Sequence, residues 1–322
     1  MKTVQKVLVI GAGVGGLATA ALLARAGAHV DVVEVKDGND VLGVGINQPA
    51  NSLRVLRTIG VLDDLVATGA TYDRLRFHDH HGTVVVEIPS SLGGDVPANC
   101  GLSRAALAAS LLAAAEAAGA VVHYGTQASS LDDRGTHVDV TLSNGEQAAY
   151  DLVVAFDGVK SQTRRSLFGE QYDPQFTGFA VWRVTLPRPA SVDCCQLFHG
   201  IDTKAGMIPL SPTHMYLFVV TREPGNPHHD PGDYRALLLD RLKEYDGVVG
   251  QMRDSIDDSA VIVYSPLSEV RLPAPWNVGR IVLGGDAAHA CTPHLTQGAA
   301  MALEDAAVLA ELLDRDVPLE ES

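Results

Sequence analysis

Residues 281–305, IVLGGDAAHACTPHLTQGAAMALED, place a carboxylate and two imidazoles at the mouth of a strand. The apolar run stops at Gly-Asp, which sets Asp286 at the strand end. His289, Pro293 and His294 follow, and an Ala-rich helical pattern begins after Gly298. A carboxylate placed there can accept hydrogen bonds from a hydroxylated ligand. An imidazole can exchange a proton near neutral pH. A helix N-terminus can stabilise negative charge. A second group is Gly11, Gly13 and Gly16 of GAGVGG, with Glu34 at the end of the next apolar run. Gly11 allows the tight turn, Gly13 lets backbone approach a pyrophosphate, and Gly16 lets helix and strand pack closely. Glu34 is placed to accept hydrogen bonds from an adenosine ribose. A third is Arg104, in the first turn of a helix read over 102–119, with Ser103 as N-cap and Gly119 as stop. The helix dipole disfavours a cation there, so either the arginine is simply exposed or an anion lies beside it.

These residues need elements to hold them. Residues 6–34, KVLVIGAGVGGLATAALLARAGAHVDVVE, form a complete βαβ unit. The unit binds a dinucleotide, but it does not separate FAD from NAD. Asn51 or Ser52 is placed to cap a helix carrying Leu53, Leu56 and Ile59, behind a loop that opens at Gly43. Residues 74–89 alternate as a hairpin turning at His81-Gly82, and 176–222 alternate as an antiparallel sheet. The loop GNPHHDPGD at 225–233 reads as polar, with His228 and His229 solvated. PAPWNVGRIVLGGDAAHA returns to a nucleotide-domain strand. The fold class is therefore α/β: a Rossmann-type domain interrupted by a mainly antiparallel β-sheet substrate domain. Residues 1–72, 100–175 and 273–322 are assigned to the first, 73–99 and 176–272 to the second. The site belongs where the two meet.

The 322 residues carry a formal net charge of −15, which argues against nucleic acid and anionic membrane surfaces as partners. No apolar run reaches the roughly 20 residues of a membrane span. The four cysteines, Cys100, Cys194, Cys195 and Cys291, show no metal-type spacing and fit a reducing, cytoplasmic compartment. The cluster His78, Asp79, His80, His81 reads as a solvated hairpin tip, and no metal is expected. No serine or cysteine sits in a nucleophile elbow.

GAGVGG at 11–16, DLVVAFDGVKSQTRR at 151–165 and GRIVLGGDAAHACTP at 279–293 stand in order, with Arg104 between the first two. Over nearly the whole chain this set resembles the class A FAD-dependent monooxygenases, the para-hydroxybenzoate hydroxylase family. The resemblance implies FAD, NADH or NADPH as reductant, and O2 as co-substrate. It implies hydroxylation of a small aromatic substrate through a flavin C4a-hydroperoxide; for the assembly, monomer and homodimer both stay open. It implies that Gly11, Gly13, Gly16 and Arg104 face the FAD pyrophosphate and Glu34 its ribose. Asp157 and Gly158 would serve both FAD and the nicotinamide, Asp286 the ribityl chain, Pro293 the flavin ring, and the N–H groups after Gly298 the flavin carbonyl. Within the family, PHLTQGAAMALEDA resembles members acting on hydroxynicotinate and similar N-heteroaromatic rings. Thr296-Gln297-Gly298 replaces the frequent G-Q-G, which implies altered contacts at the pyrimidine end. The chain also stops sooner than most members, as expected of a truncation or of lost final elements.

Such hydroxylation gains from a base that removes the substrate's phenolic proton. Tyr216 and His294 are the candidate catalytic residues, as base or hydrogen-bond partner. His214 shares Tyr216's strand face by period two. Arg183 and Trp182 either line the cavity or support the sheet. His289 is expected to pack rather than react. A flavin dehydrogenase without oxygen insertion, or a non-catalytic flavin sensor, is the alternative. Oxygen-18 in the product, or a ligand-shifted flavin spectrum without turnover, separates these cases.

Overall fold

A computed structural model of the chain describes residues 4–38, 44–90 and 94–315. Gly43 at the head of the predicted loop and the closing LEES lie outside the described residues. Two sheets dominate. A six-stranded sheet runs in the order Asn277–Val278, Ile281–Leu283, Leu152–Ala155, Lys6–Ile10, His29–Val33, Val121–His123. All its pairings are parallel except the one at the Asn277–Val278 edge. Parallel strands are covered on both faces, which is why VLVI and LVVA read as unbroken apolar runs. Helix Val14–Arg25 lies on this sheet through buried Gly16, Leu17, Ala20, Ala21 and Leu23. Its small residues admit the helices Arg104–Ala117 and Gly298–Asp314 at close range.

The seven-stranded sheet runs Ile262–Glu269, Gln175–Pro187, His214–Arg222, Lys204–Pro209, Cys195–His199, Arg74–Asp79, Val84–Pro89. It is antiparallel except where Cys195–His199 pairs in parallel with Arg74–Asp79. Period two divides its faces. Trp182, Phe198, Met207, Leu217 and Val219 pack under helices Tyr234–Arg241 and Gly247–Asp254. Cys195, Ile208 and Tyr216 point the other way, to Val44, Tyr72 and Leu210.

A short ribbon, Gly45–Pro49, Asn99–Ser103 and Ala70–Tyr72, fills the junction between the sheets. A Cβ on Gly101 would collide with the Pro209 carbonyl, and one on Gly45 with the Leu210 side chain. The ribbon and the large sheet thus touch at backbone distance. A separate antiparallel sheet, Ala128–Asp133, Val138–Leu142 and Gln147–Tyr150, packs on the other face of the parallel sheet, against Leu8, Val33 and Val153. Among the described residues no helix is long and apolar enough to cross a membrane.

Two local expectations are corrected. Neither Asn51 nor Ser52 caps a helix, because helix Ala50–Ile59 starts directly after Pro49. The Asn51 amide donates instead to Gln297 Oε1 and Glu304 Oε2, both at 3.1 Å, and Ser52 Oγ donates back to the Pro49 carbonyl at 2.7 Å. His229 is not solvated, although His228 is. Its ring packs between Trp182 and Tyr264, with Nε2 3.5 Å from the buried Glu223 carboxylate. The loop's polarity concealed an acid and an aromatic pocket contributed by distant strands.

Candidate functional site

At the end of the first strand, Gly11 sits at φ +102 and its N–H donates to the Val33 carbonyl at 2.8 Å. A Cβ on Gly16 would collide with the Gly11 carbonyl, so close packing requires that glycine. A Cβ on Gly13 would meet nothing within 4 Å. Gly13 is the N-cap of helix Val14–Arg25, and no side chain caps the first-turn N–H groups. The Glu34 carboxylate accepts from Ala12 N–H at 2.9 Å and Lys36 N–H at 3.0 Å, which fixes it beside the loop. Gly13, Glu34 and Arg104 line one cavity of about 200 Å³ together with Ala12, Lys36 and Ile46. Arg104 reaches it from the first turn of helix Arg104–Ala117, which Ser103 caps by accepting from Ala106 N–H. Among the described residues Arg104 has no hydrogen bond or ion pair. Free helix N–H groups, a guanidinium and a carboxylate suit a phosphate beside a ribose. A broader groove of about 700 Å³ beside Arg25 and Asp64 holds none of these groups. Its Arg25 is committed to the Thr58 and Ile59 carbonyls, so the smaller cavity is the site.

The middle strand delivers Asp157 and Gly158. Asp157 Oδ2 accepts from Thr163 N–H at 3.0 Å, while buried Oδ1 has no partner among the described residues. Arg164 is buried and donates to the Val159 and Ala287 carbonyls at 2.9 and 3.0 Å. It pins the Asp157 turn to the short helix Asp286–His289. Asp286 keeps one edge open to solvent, but the atoms crowding its other side push its carboxyl pKa up, against the pull of His289 and Arg104. His289 Nε2 lies 2.7 Å from Asp305 Oδ2, which also accepts from Gly285 N–H at 2.8 Å. Burial opposes protonation of His289, but the hydrogen bond and charge of Asp305 prevail and its pKa is raised.

Pro293 and His294 occupy a short 3-10 turn, Pro293–Leu295. Thr296 follows at φ +55, its hydroxyl accepting from Asn47 Nδ2 at 3.2 Å. Asn47 Oδ1 in turn accepts from the Tyr72 hydroxyl at 2.7 Å. This chain ties the turn to the junction ribbon. Helix Gly298–Asp314 then begins without a side-chain cap, and a Cβ on Gly298 would lie 3.9 Å from Asp286 Oδ1.

The inner face of the seven-stranded sheet stands opposite. Tyr216 is buried there, and among the described residues its hydroxyl has no hydrogen bond. Burial pushes its pKa well up and Cys195 adds to this, while Arg183 and Arg104 pull it back. Arg104 therefore lies within electrostatic reach of Asp286, Tyr216 and Arg183. His294 Nδ1 is 2.8 Å from Lys204 Nζ, so the imidazole accepts there. Burial and then the Lys204 charge hold the His294 pKa below the ordinary histidine value. Neither a hydrogen bond nor a ring contact joins Tyr216 to His294 among the described residues. His214 shares Tyr216's strand but lies exposed at its start, with Nδ1 2.9 Å from Thr213 Oγ1. Trp182 and Arg183 part company: Trp182 supports the helix-covered face, donating to Thr221 Oγ1, and Arg183 lies on the inner face opposite Phe218. Burial drives the Cys195 thiol up to about 12, so it is no nucleophile at neutral pH.

Sequence reasoning missed Lys204 and the Asn47–Tyr72–Thr296 chain. Lys204, Gly206 and Ile208 alternate in step with Tyr216, but the register Ile208↔Tyr216 that puts them on one face is not written locally.

A family model described as FAD binding domain matches residues 4–315. The chain is 34% identical to the 2-heptyl-3-hydroxy-4(1H)-quinolone synthase of Pseudomonas aeruginosa, over 95% of this chain and 80% of that one. It is 32% identical to the 6-hydroxynicotinate 3-monooxygenase of Pseudomonas fluorescens, over 97% and 83%. Its fold matches that of Klebsiella pneumoniae HpxO complexed with FAD and uric acid, with TM-score 0.88 and 23% identity over 98% and 82%.

Proposed function

This chain belongs to the FAD-binding domain family of class A flavoprotein hydroxylases, and from that premise we propose that it uses NAD(P)H and O2 to hydroxylate a small aromatic or N-heteroaromatic ring. The observation that supports this reading is the position of Arg104. On one side it shares a cavity with Gly13 and Glu34, and on the other its charge reaches Asp286, Arg183 and Tyr216. One extended ligand lying along that line would meet phosphate-binding groups first and a hydroxyl-binding carboxylate next. The orphaned Asp157 oxygen and the open space before Gly13 fit such a dinucleotide. Gly11, Gly13, Gly16, Glu34, Arg104, Asp157, Gly158, Asp286, Pro293 and Gly298 are the residues that would hold FAD.

Bound there, FAD would supply hydride acceptance and oxygen activation. The chain's own share is to position the ring, exclude water and handle one proton. With Nδ1 accepting from Lys204, neutral His294 carries its hydrogen on Nε2 and would donate it to the substrate's ring oxygen, which favours the ionised hydroxyl. Its lowered pKa keeps it neutral and competent near pH 7. Tyr216, held protonated by burial, acts as a hydrogen-bond donor rather than as a base. The uncapped helix at Gly298 offers N–H groups to developing negative charge. In this arrangement residues 1–72, 100–175 and 273–322 hold the nucleotide, and residues 73–99 and 176–272 cover the ring.

The test is direct. Purified protein should be yellow with bound FAD, and its NAD(P)H oxidation should accelerate with 6-hydroxynicotinate or a related hydroxylated ring. Under labelled O2 the product should carry one oxygen-18 atom. A colourless preparation that takes up no FAD, or a turned-over product free of label, would end this reading.

A further inference from the structure

Among the described residues, two other than glycine hold a positive φ: Asn226 at +51 and Thr296 at +55. Asparagine tolerates that region, whereas a β-branched threonine is a steric outlier there. Such a conformation persists only where its surroundings fix it, and it gathers at functional sites. Thr296 is fixed on every side. Its N–H donates to the Pro293 carbonyl at 3.1 Å, its hydroxyl oxygen accepts from Asn47 Nδ2 at 3.2 Å, and the side chain of the next residue, Gln297, accepts from Asn51 Nδ2 at 3.1 Å. The left-handed residue turns the chain. One short segment thereby carries His294 to Lys204 and then opens helix Gly298–Asp314 beside Asp286.

The ribbon decides which way the threonine hydroxyl works. Asn47 is buried, and both of its amide hydrogens are used: Nδ2 donates to Asn99 Oδ1 at 3.3 Å and to Thr296 Oγ1. Its Oδ1 accepts from the Tyr72 hydroxyl at 2.7 Å, which sets the amide's orientation. An amide nitrogen cannot accept, so the threonine oxygen is the acceptor in this contact and its own hydrogen is left over. Among the described residues that hydrogen has no acceptor. Tyr72, Asn47 and Thr296 each donate to the next group along, and such a row polarises its last member into a stronger donor. That last hydroxyl stands two residues before Gly298, where the helix starts without a side-chain cap. A glycine at position 296 would offer no such group.

Resting on the proposed function, we propose that Thr296 is a cofactor-binding residue whose hydroxyl donates to the pyrimidine end of the flavin ring, and that Asn47 aims it. Asn47 is a positioning residue, since it acts through Thr296. A donor in that place strengthens as its acceptor gains negative charge, so it favours reduced flavin over oxidised.

Titration of the apoprotein with FAD, and the two-electron reduction potential of the bound flavin, test this. Thr296→Val keeps the shape and loses the donor. Reduced flavin should then lose about tenfold more affinity than oxidised flavin, a fall of about 30 mV in potential. Thr296→Ala carries the same expectation should the valine variant not fold, and Thr296→Ser should keep the original potential. Asn47→Asp still accepts from Tyr72 but also takes the threonine's hydrogen, turning the hydroxyl away from the ring. Its potential should fall too, and adding Thr296→Val to it should change the potential no further beyond what Asn47→Asp alone produces. An unchanged potential in both donorless variants would overturn the proposal. Falls that simply add in the double variant would also overturn it, because the new carboxylate would then act by its charge alone. If FAD binds and the ring substrate is hydroxylated while all these potentials coincide, the monooxygenase reading survives and this one falls. If the unaltered protein takes up no FAD, both fall.

Discussion

His289 and His294 sit in one turn region, yet they hold protons oppositely. His294 lies against Lys204 and is kept neutral, whereas His289 lies against Asp305 and is kept protonated to higher pH. If turnover requires neutral His294 seated on Lys204, kcat/KM should fall only as pH drops through its lowered pKa, so the acid limb lies below the ordinary value of 6.5. Lys204→Met removes the repelling charge, which raises that pKa and moves the limb to higher pH. A limb that stays put would show that Lys204 does not tune His294. The sign reverses for His289. Its folded pKa is raised, so its stabilising contribution is complete below the unfolded value of 6.5 and fades as pH rises through the folded one. Asp305→Asn should flatten that dependence in melting curves and cost about 1–3 kcal/mol at pH 6, because Gly285 N–H also loses its charged acceptor. Tyr216→Phe should lower kcat/KM about tenfold without moving either limb, as expected for a lost donor. A displaced basic limb would mean that the tyrosine titrates in catalysis.

At the scale of elements, Gly101 marks where two of them meet. A side chain there must drive the ribbon Asn99–Ser103 off the Pro209 carbonyl. Gly101→Val should cost about 1–3 kcal/mol, read as a lower urea midpoint, and should weaken ring binding more than FAD uptake. The same comparison explains what the sequence could disclose. The GAGVGG loop was legible because tight turn and close packing are demands on adjacent residues, and Gly11 and Gly16 meet them within one unit. The hairpin at 74–89 was legible for the same reason, down to the turn glycine at φ +89. Its destination was not, because the partner strand Cys195–His199 lies far along the chain. Trp182 and Arg183 could not be told apart until register assigned their faces. Asn51 looked like a cap because its true partners, Gln297 and Glu304, belong to a helix near the other end of the chain. Local chemistry was readable, and long-range pairing was not.

For the whole molecule, one cation links two regions. Arg104 lines the nucleotide cavity and electrostatically touches the inner face of the large sheet. FAD at a hundredfold excess over its Kd should stabilise the fold by about 2.7 kcal/mol through mass action, raising the melting temperature in one transition. Arg104→Gln should remove most of that increment by weakening FAD binding. An unchanged increment would place the pyrophosphate elsewhere.

The order of strands in the parallel sheet has one more consequence, for how this polypeptide is made. Leu152–Ala155 is flanked by Lys6–Ile10 on one side and by Ile281–Leu283 on the other, so its second neighbour emerges from the ribosome long after it does. Until then its outer edge carries unpaired backbone donors and acceptors, an invitation to association between nascent chains. With so many contacts between remote stretches, productive folding should be slow, and synthesis at high level should favour inclusion bodies over native protein unless chaperones shield that edge.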